Sequence, residues 1–355
     1  MSQGGIKTMN YRTQIAIYAG GAIAGVLARK LMKPTFSFRG QSVLISGGSR
    51  GLGLILARLF AEEGAHLTLV ARHRESLEAA EQELLGTGAT VQVIACDIRE
   101  REQATDAVER SVRRYGSIDV LVNNAGVIEV GPWDAMTLTD FQDAMATHMW
   151  GPLYLSLAAI EHMRRKHAGR IVNISSIGGK IAVPHLMPYC ASKFALTGLS
   201  DSMRAELRQY GIHVTTVCPG LMRTGSHVNA RFKGRAKDEF TWFSLMAGLP
   251  VFSINADRAA RQIVDAVRRG RSELIITTQA RMAVLANALA PNLVAFGMRL
   301  MNSLLPAASS ASSLEPLPDG EGTDGWDSTS RWSPSVLTRL ADQAIEQNNE
   351  YRTAS

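Results

Sequence analysis

The sequence predicts an α/β fold: a doubly wound parallel sheet forming a single domain, with an extension at each end. Two observations predict it. Short apolar runs alternate strictly with stretches of helical periodicity from Gly40 to Thr278, a pattern that buries a parallel sheet under helices on both faces. A glycine cluster, "SGGSRGLG" (Ser46–Gly53), stands between the first apolar run and the first helical stretch, where it permits a tight strand-to-helix turn.

The elements follow in order. "SVLIS" (Ser42–Ser46) reads as a strand, and "LGLILARLFAEEG" as a helix ending at Gly64. "HLTLVA" is a strand, "RESLEAAEQELLG" an amphipathic helix, "VQVIAC" a strand and "REQATDAVERSVRRYG" a helix. "IDVLVNNAG" is a strand that leaves through a loop. Two helical stretches flank "RIVNISS"; then come "HVTTVCPG", a helix near Ala256–Arg269 and the strand "ELIIT". The domain is therefore placed at 40–278. The apolar stretch 279–305, broken by Pro291, is expected to cap the core or pair two subunits, with a membrane surface as the third reading. Residues 306–355 read as a low-complexity acidic linker closed by a short helix in "VLTRLADQAIEQNNE".

The N-terminal segment 1–39 holds an apolar run, Ile15–Ala28, flanked by Lys7, Arg12, Arg29, Lys30 and Lys33. It is shorter than the roughly 20 residues of a full span. It reads as a short membrane anchor or interfacial helix, as a helix packed on the domain, or as an export signal cleaved near "AIA". As an anchor it leaves the domain in the cytoplasm.

Composition narrows the class. The 355 residues are 46% apolar and 20% charged, which excludes a disordered chain. Cys96, Cys190 and Cys218 lie in or beside apolar runs without metal spacing, so buried free thiols and a reducing compartment are expected, and no metal site. The net charge of +6 hides an asymmetry: residues 306–355 carry eight acidic and three basic residues, a net −5, so residues 1–305 carry +11. A basic body attracts phosphorylated cofactors, anionic substrates or anionic lipid. No aromatic-basic array suggests nucleic acid.

The glycine loop carries the first chemistry. Gly47, Gly51 and Gly53, with Ser49 and Leu52 between them, let the backbone approach a diphosphate at a helix N-terminus. This is a Rossmann-type arrangement. An NAD site places an acid at the end of the second strand; here "VARHR" presents Arg72, and Arg50 stands inside the loop. Cations there neutralise a 2′-phosphate, which predicts NADP(H).

The second chemistry is in "SSIGGKIAVPHLMPYCASK". Tyr189 and Lys193 are four apart and share one helix face. Tyrosine, with a pKa of about 10, is a poor base until a neighbouring ammonium favours its phenolate. Ser176, thirteen residues before Tyr189, is placed to hold a substrate oxygen; Ser175 is the alternative.

The glycine loop, "NNAG" (Asn123–Gly126), this Ser–Tyr–Lys spacing and "PG" (Pro219–Gly220) occur in order, and the chain resembles the short-chain dehydrogenase/reductase family over roughly Gly40–Thr278. The helical C-terminal extension resembles less characterised bacterial members. The resemblance implies an NADP(H)-dependent oxidoreductase acting on a small-molecule carbonyl/alcohol pair, with reduction favoured by the NADP preference. In it Tyr189 is the acid/base, Lys193 lowers its pKa and binds the nicotinamide ribose, and Ser176 holds the substrate oxygen. It implies cofactor contacts from Asp97 and Ile98 at the adenine, from Asn124, Ala125, Gly126, Pro219 and Gly220, and from Thr224 at the nicotinamide amide. It also implies a homo-oligomer built on the helices carrying His148 and Tyr189. One departure is "HMWG", where His148 replaces an asparagine whose backbone carbonyl helps hold a water near the lysine. That carbonyl survives the replacement; His148 either titrates in the relay or fills a helix kink. After Pro219, Trp242, Phe243, Leu245, Met246 and Phe252 suggest an apolar pocket for a lipophilic substrate, with Arg231, Lys233, Arg235 and Lys237 as cations at its mouth or turned outward. A non-catalytic NADP-binding sensor is the rival reading.

Overall fold

In the computed structural model, residues 36–306, 322–329 and 338–351, with Ser333 and Ser335, are described. The apolar run Ile15–Ala28, and with it the anchor reading, lies outside them. Among the described residues no helix is long and apolar enough to cross a membrane.

Seven strands build the central sheet: β1 (Ser42–Ser46), β2 (His66–Ala71), β3 (Thr90–Ala95), β4 (Val120–Asn123), β5 (Gly169–Ile174), β6 (Ile212–Cys218) and β7 (Glu273–Ile275). Their order is β7-β6-β5-β4-β1-β2-β3, and every neighbouring pair is parallel. All five residues of β1 are buried, as a strand covered on both faces requires. On one face α3 (Arg101–Tyr115), α5 (Gly151–Lys166) and α6 (Met187–Leu207) enclose Val108, Leu155, Met163, Ile171 and Leu207. On the other, α1 (Gly51–Glu62) packs beside α8 (Ala256–Arg268), burying Leu54, Phe60 and Ile263; α2 (Arg74–Gly86) lies next to β3. The strand order reverses between β1 and β4, so the crevice above their C-terminal ends is the natural ligand site.

The remaining helices close that crevice. α4 (Leu138–Met145) runs through a π-helical turn, Ala146–Trp150, into α5. α7 (Ala236–Gly248) carries Trp242 and Phe243 and packs Phe240 and Phe243 on Phe232. α9 (Thr278–Leu289) and α10 (Pro291–Leu304) form the apolar extension. Their only buried residue is Ala280, whereas Leu289, Leu293, Phe296 and Leu304 are exposed. The extension therefore does not cap the core.

The acidic tail departs from the linker reading. Thr323–Asp324 pairs antiparallel with Arg231–Phe232, and Gly325 packs so closely on Val228 that a Cβ would meet its Cα at 2.8 Å. α11 (Arg339–Gln347) buries Ala341 and Ala344. The three cysteines are free and buried.

Candidate active site

A cleft of about 1480 Å³ opens above the C-terminal ends of the strands, from the glycine loop at one end to Trp242 and Phe252 at the other. Of the catalytic and cofactor-binding residues singled out, all but Gly53 line it. Gly53 serves packing instead: a Cβ there would overlap the Gly47 carbonyl and meet Asn124 Nδ2 at 2.7 Å. Gly47, at φ +65°, faces the Ala125 Cα, which a Cβ would meet at 2.8 Å. These close approaches let β1, the loop and "NNAG" stack. Asn124 Nδ2 donates to the Ser46 and Gly47 carbonyls (3.2 and 3.1 Å), and Ser46 Oγ accepts from the Asn124 and Ala125 amides.

The glycine-loop end is cationic. Burial lowers the Arg72 pKa, and Arg99, Arg231 and Arg50 lower it further, because the four guanidiniums share one region. Asp97 is held by Arg99 through Nε and Nη2 (2.9 and 2.7 Å). Burial alone raises this carboxyl; the Arg99 hydrogen bonds outweigh it and lower its pKa. The only signal for Arg99 in the sequence was its place two residues after Asp97.

The reacting end is built on α6 and the loop after β5. Ser176 Oγ accepts from the Gly178 amide (3.0 Å) and lines the same cleft as Tyr189. Ser175 Oγ is committed to α6, at the Lys193 carbonyl (3.0 Å) and Thr197 Oγ1 (2.8 Å). Its hydroxyl is thus engaged within the protein, whereas Ser176 accepts only from a loop amide. Lys193 Nζ donates to the Ile174 carbonyl (2.9 Å) and lies 5.6 Å from the Tyr189 ring centroid. Tyr189 keeps part of its surface open to the cleft, yet the atoms around it desolvate the phenol. Burial pushes it up to about 12, and burial brings the Lys193 ammonium down to about 7. In the protein alone, desolvation outweighs the lowering of the tyrosine expected from the lysine.

His148 is a correction. The Val127 amide donates to Nε2 (3.1 Å), so that nitrogen carries no proton. Nδ1 must then donate to Ser192 Oγ (2.7 Å), which donates to the Tyr189 carbonyl (2.9 Å). Burial, then Lys193, lowers the His148 pKa far below its usual value. The ring is a neutral brace between the "NNAG" loop and the first turn of α6, with no nitrogen left for a proton relay. It is a positioning residue, seated in the π-turn.

The lid needs a second correction. Lys233 is buried and donates to both oxygens of Asp140 at 2.7 Å; Arg235 pairs with Asp238 (2.6 Å). Of the lid cations only Arg231 lines the cleft, together with Trp242, Phe243, Met246 and Phe252. Glu129, unremarkable within "VIEVG", also lines it; burial, then Asp140, pushes its carboxyl up to about 7.

Residues 41–233 match the short chain dehydrogenase family. The chain belongs to that family. Among its relatives, dehydrogenase/reductase SDR family member 7B of Bos taurus is 32% identical over 272 residues, covering 75% of this chain and 81% of the relative. Gluconate 5-dehydrogenase of Gluconobacter oxydans is 32% identical over 189 residues, 53% and 74% of the two chains. The solved structure of a Burkholderia cenocepacia gluconate 5-dehydrogenase in complex with NADP and tartrate superposes with a TM-score of 0.60 at 27% identity, covering 69% of this chain and 98% of that one. A metagenomic short-chain oxidoreductase in complex with NADP is 30% identical with a TM-score of 0.56, over 68% and 98%. As a short-chain dehydrogenase the protein is an oxidoreductase of the kind that uses a nicotinamide cofactor. Its residues fit one: side-chain-free glycines at the turn, an α1 N-terminus whose preceding residue, Arg50, gives no side-chain cap, and guanidiniums beside them.

Proposed function

We propose that this short-chain dehydrogenase is an NADP(H)-dependent reductase of a lipophilic aldehyde or ketone. The observation that carries the reading is the convergence of Ser176, Tyr189 and Lys193 in one cleft with the glycine loop and Arg72. The Tyr189 phenol, protonated at neutral pH as a tyrosine ordinarily is, can give its proton to a carbonyl oxygen, as carbonyl reduction requires. Bound NADPH supplies the hydride. Ser176 then holds the carbonyl oxygen, Tyr189 delivers its proton to that oxygen, and Lys193, while protonated, stabilises the phenolate left behind. Gly47, Ser49, Gly51 and Leu52 cradle the diphosphate, Arg50 and Arg72 face the 2′-phosphate, Asp97 and Ile98 flank the adenine, and Thr224 meets the nicotinamide amide.

Trp242, Phe243, Met246 and Phe252 favour an apolar substrate. α9 and α10 supply Ala283 and Met301 to the cleft and expose Leu289, Leu293 and Phe296. This apolar rim suits the same substrate class and is the support for contact with a lipid surface. Exposed Trp150, Leu157 and Phe194, on or beside α5 and α6, support a homo-oligomer through those helices.

The test is NADPH consumption with a panel of apolar aldehydes and ketones, wild type beside Tyr189→Phe. Turnover by wild type, loss of at least about 100-fold in the variant and equal NADPH affinity support the reading. NADPH binding by both without turnover by either favours the sensor alternative.

A further inference from the structure

The N-terminus of α1 is not free in this protein. The first four amides of a helix have no partner inside it, and together with the helix dipole they attract anions. Here the Gly51 amide donates to the Asn348 carbonyl at 2.8 Å. Asn348 comes directly after α11 and also donates to the Thr224 carbonyl (3.1 Å). Asn349, at φ +56°, turns the chain back and donates to the Ser49 carbonyl (3.0 Å). That turn sends Glu350 into the cleft, where its carboxylate accepts from Asn229 Nδ2 (2.7 Å) and lies 3.6 Å from Arg50. A Cβ on Gly51 would meet Glu350 Oε1 at 2.5 Å. Glu350 is 3% exposed. Arg58 fastens the segment from outside at the Gln347 carbonyl (2.9 Å).

We propose that residues 338–351 are an intramolecular competitor of the cofactor: the Asn348 carbonyl and the Glu350 carboxylate occupy the phosphate cradle, and dinucleotide binding requires them to leave. This rests on the NADP(H) reading above. One amide proton cannot serve both the Asn348 carbonyl and a phosphate oxygen, and a second anion beside the Glu350 carboxylate is repelled. Within 338–351 Asp342, Glu346 and Glu350 outnumber Arg339, so the segment is drawn to the same cationic region that attracts the cofactor. The plug is also displaceable. Burial pushes the Glu350 carboxyl up to about 7, so its charge is held there at a cost.

The test uses the full chain, as wild type and as the double variant Asn349→Ala/Glu350→Gln, with Glu350→Lys as a second route that sets a like charge against Arg50. NADPH affinity is measured by fluorescence, and amide exchange over 339–350 is followed with and without NADPH. The proposal expects both variants to bind NADPH at least tenfold tighter, about 1.4 kcal/mol, and NADPH to speed exchange over 339–350 in wild type. Unchanged or weaker affinity in the variants overturns it, and so does slower exchange on binding, which marks a strap closing over the cofactor. If no form binds NADPH or NADH, the cofactor reading falls, and the competitor with it.

Discussion

Lys193→Met should make the protein more stable at pH 7 while abolishing its turnover. Lys193 is 4% exposed, and its ammonium donates to the Ile174 carbonyl. Burial brings its pKa to about 7, whereas an unfolded lysine titrates at about 10.4. At about 1.4 kcal/mol for each pH unit between the two values, folding this lysine costs about 4 kcal/mol at pH 7. Methionine fills similar space without charge, but strands the Ile174 carbonyl, at about 1–3 kcal/mol. The variant therefore gains about 1–3 kcal/mol and melts several degrees higher. The sign with pH follows from the folded pKa lying below the unfolded one. Between about pH 7 and pH 10 the unfolded state binds the extra proton, so wild type gains on the variant as pH rises; the advantage is gone between about pH 8 and pH 9.5 and is reversed by pH 10, where only the stranded carbonyl remains. Thermal melts of both proteins at pH 7, 8.5 and 10 isolate Lys193, because every other group titrates in both. A variant less stable than wild type at pH 7, with a difference flat in pH, would refute the desolvation argument.

Three further outcomes are expected. His148→Asn, whose amide oxygen can still accept from the Val127 amide, should lower kcat while leaving the pH–rate profile in place; loss of a limb from that profile would return the histidine to the relay. Lys233→Ala should lower Tm by about 5–15 °C, since breaking a buried pair costs about 3–5 kcal/mol, with KM little changed; the reverse pattern in calorimetry and kinetics would put the lysine at the pocket mouth. Arg72→Ser should reduce the preference for NADPH over NADH about 10- to 100-fold, the worth of a hydrogen bond to a charged group, and equal losses for both cofactors in a titration would remove Arg72 from the 2′-phosphate.

The sheet was legible because each strand and helix announces itself locally: β1 is the short apolar run Val43–Ile45 between two serines, and α1 repeats apolar residues every three or four. The Tyr189–Lys193 pair was legible for the same reason, since one helical turn fixes it. What was not legible depends on partners far away in the chain. Lys233 reads as a surface cation until Asp140, 93 residues earlier, is folded beneath it. His148 reads as a relay candidate until a loop amide 21 residues away takes its Nε2. The tail reads as linker because its composition is low in apolar residues, yet Asn349 reaches Ser49 across 300 residues by hydrogen bonds that composition does not record.

These long-range partners divide the cleft into two electrical halves. At one end Arg50, Arg72, Arg99 and Arg231 converge, and the carboxylates among them, Asp97 and Glu350, are each matched to a guanidinium. At the other end the cations that the sequence offers are withdrawn: Lys233 is neutralised by Asp140, Arg235 by Asp238, and Lys193 is desolvated until it titrates near neutrality. Trp242, Phe243, Met246 and Phe252 are left to face the reacting groups. A substrate carrying its own negative charge would have to reach Arg223, Arg258 or Arg281 on the cleft wall, and near Glu129 it would meet a buried carboxyl that already resists ionisation. The phosphate-bearing ligand therefore belongs at the arginine end. The group that meets Tyr189 should be neutral, and an acidic part of the substrate must reach the arginines of the cleft wall rather than the apolar patch of Trp242, Phe243, Met246 and Phe252.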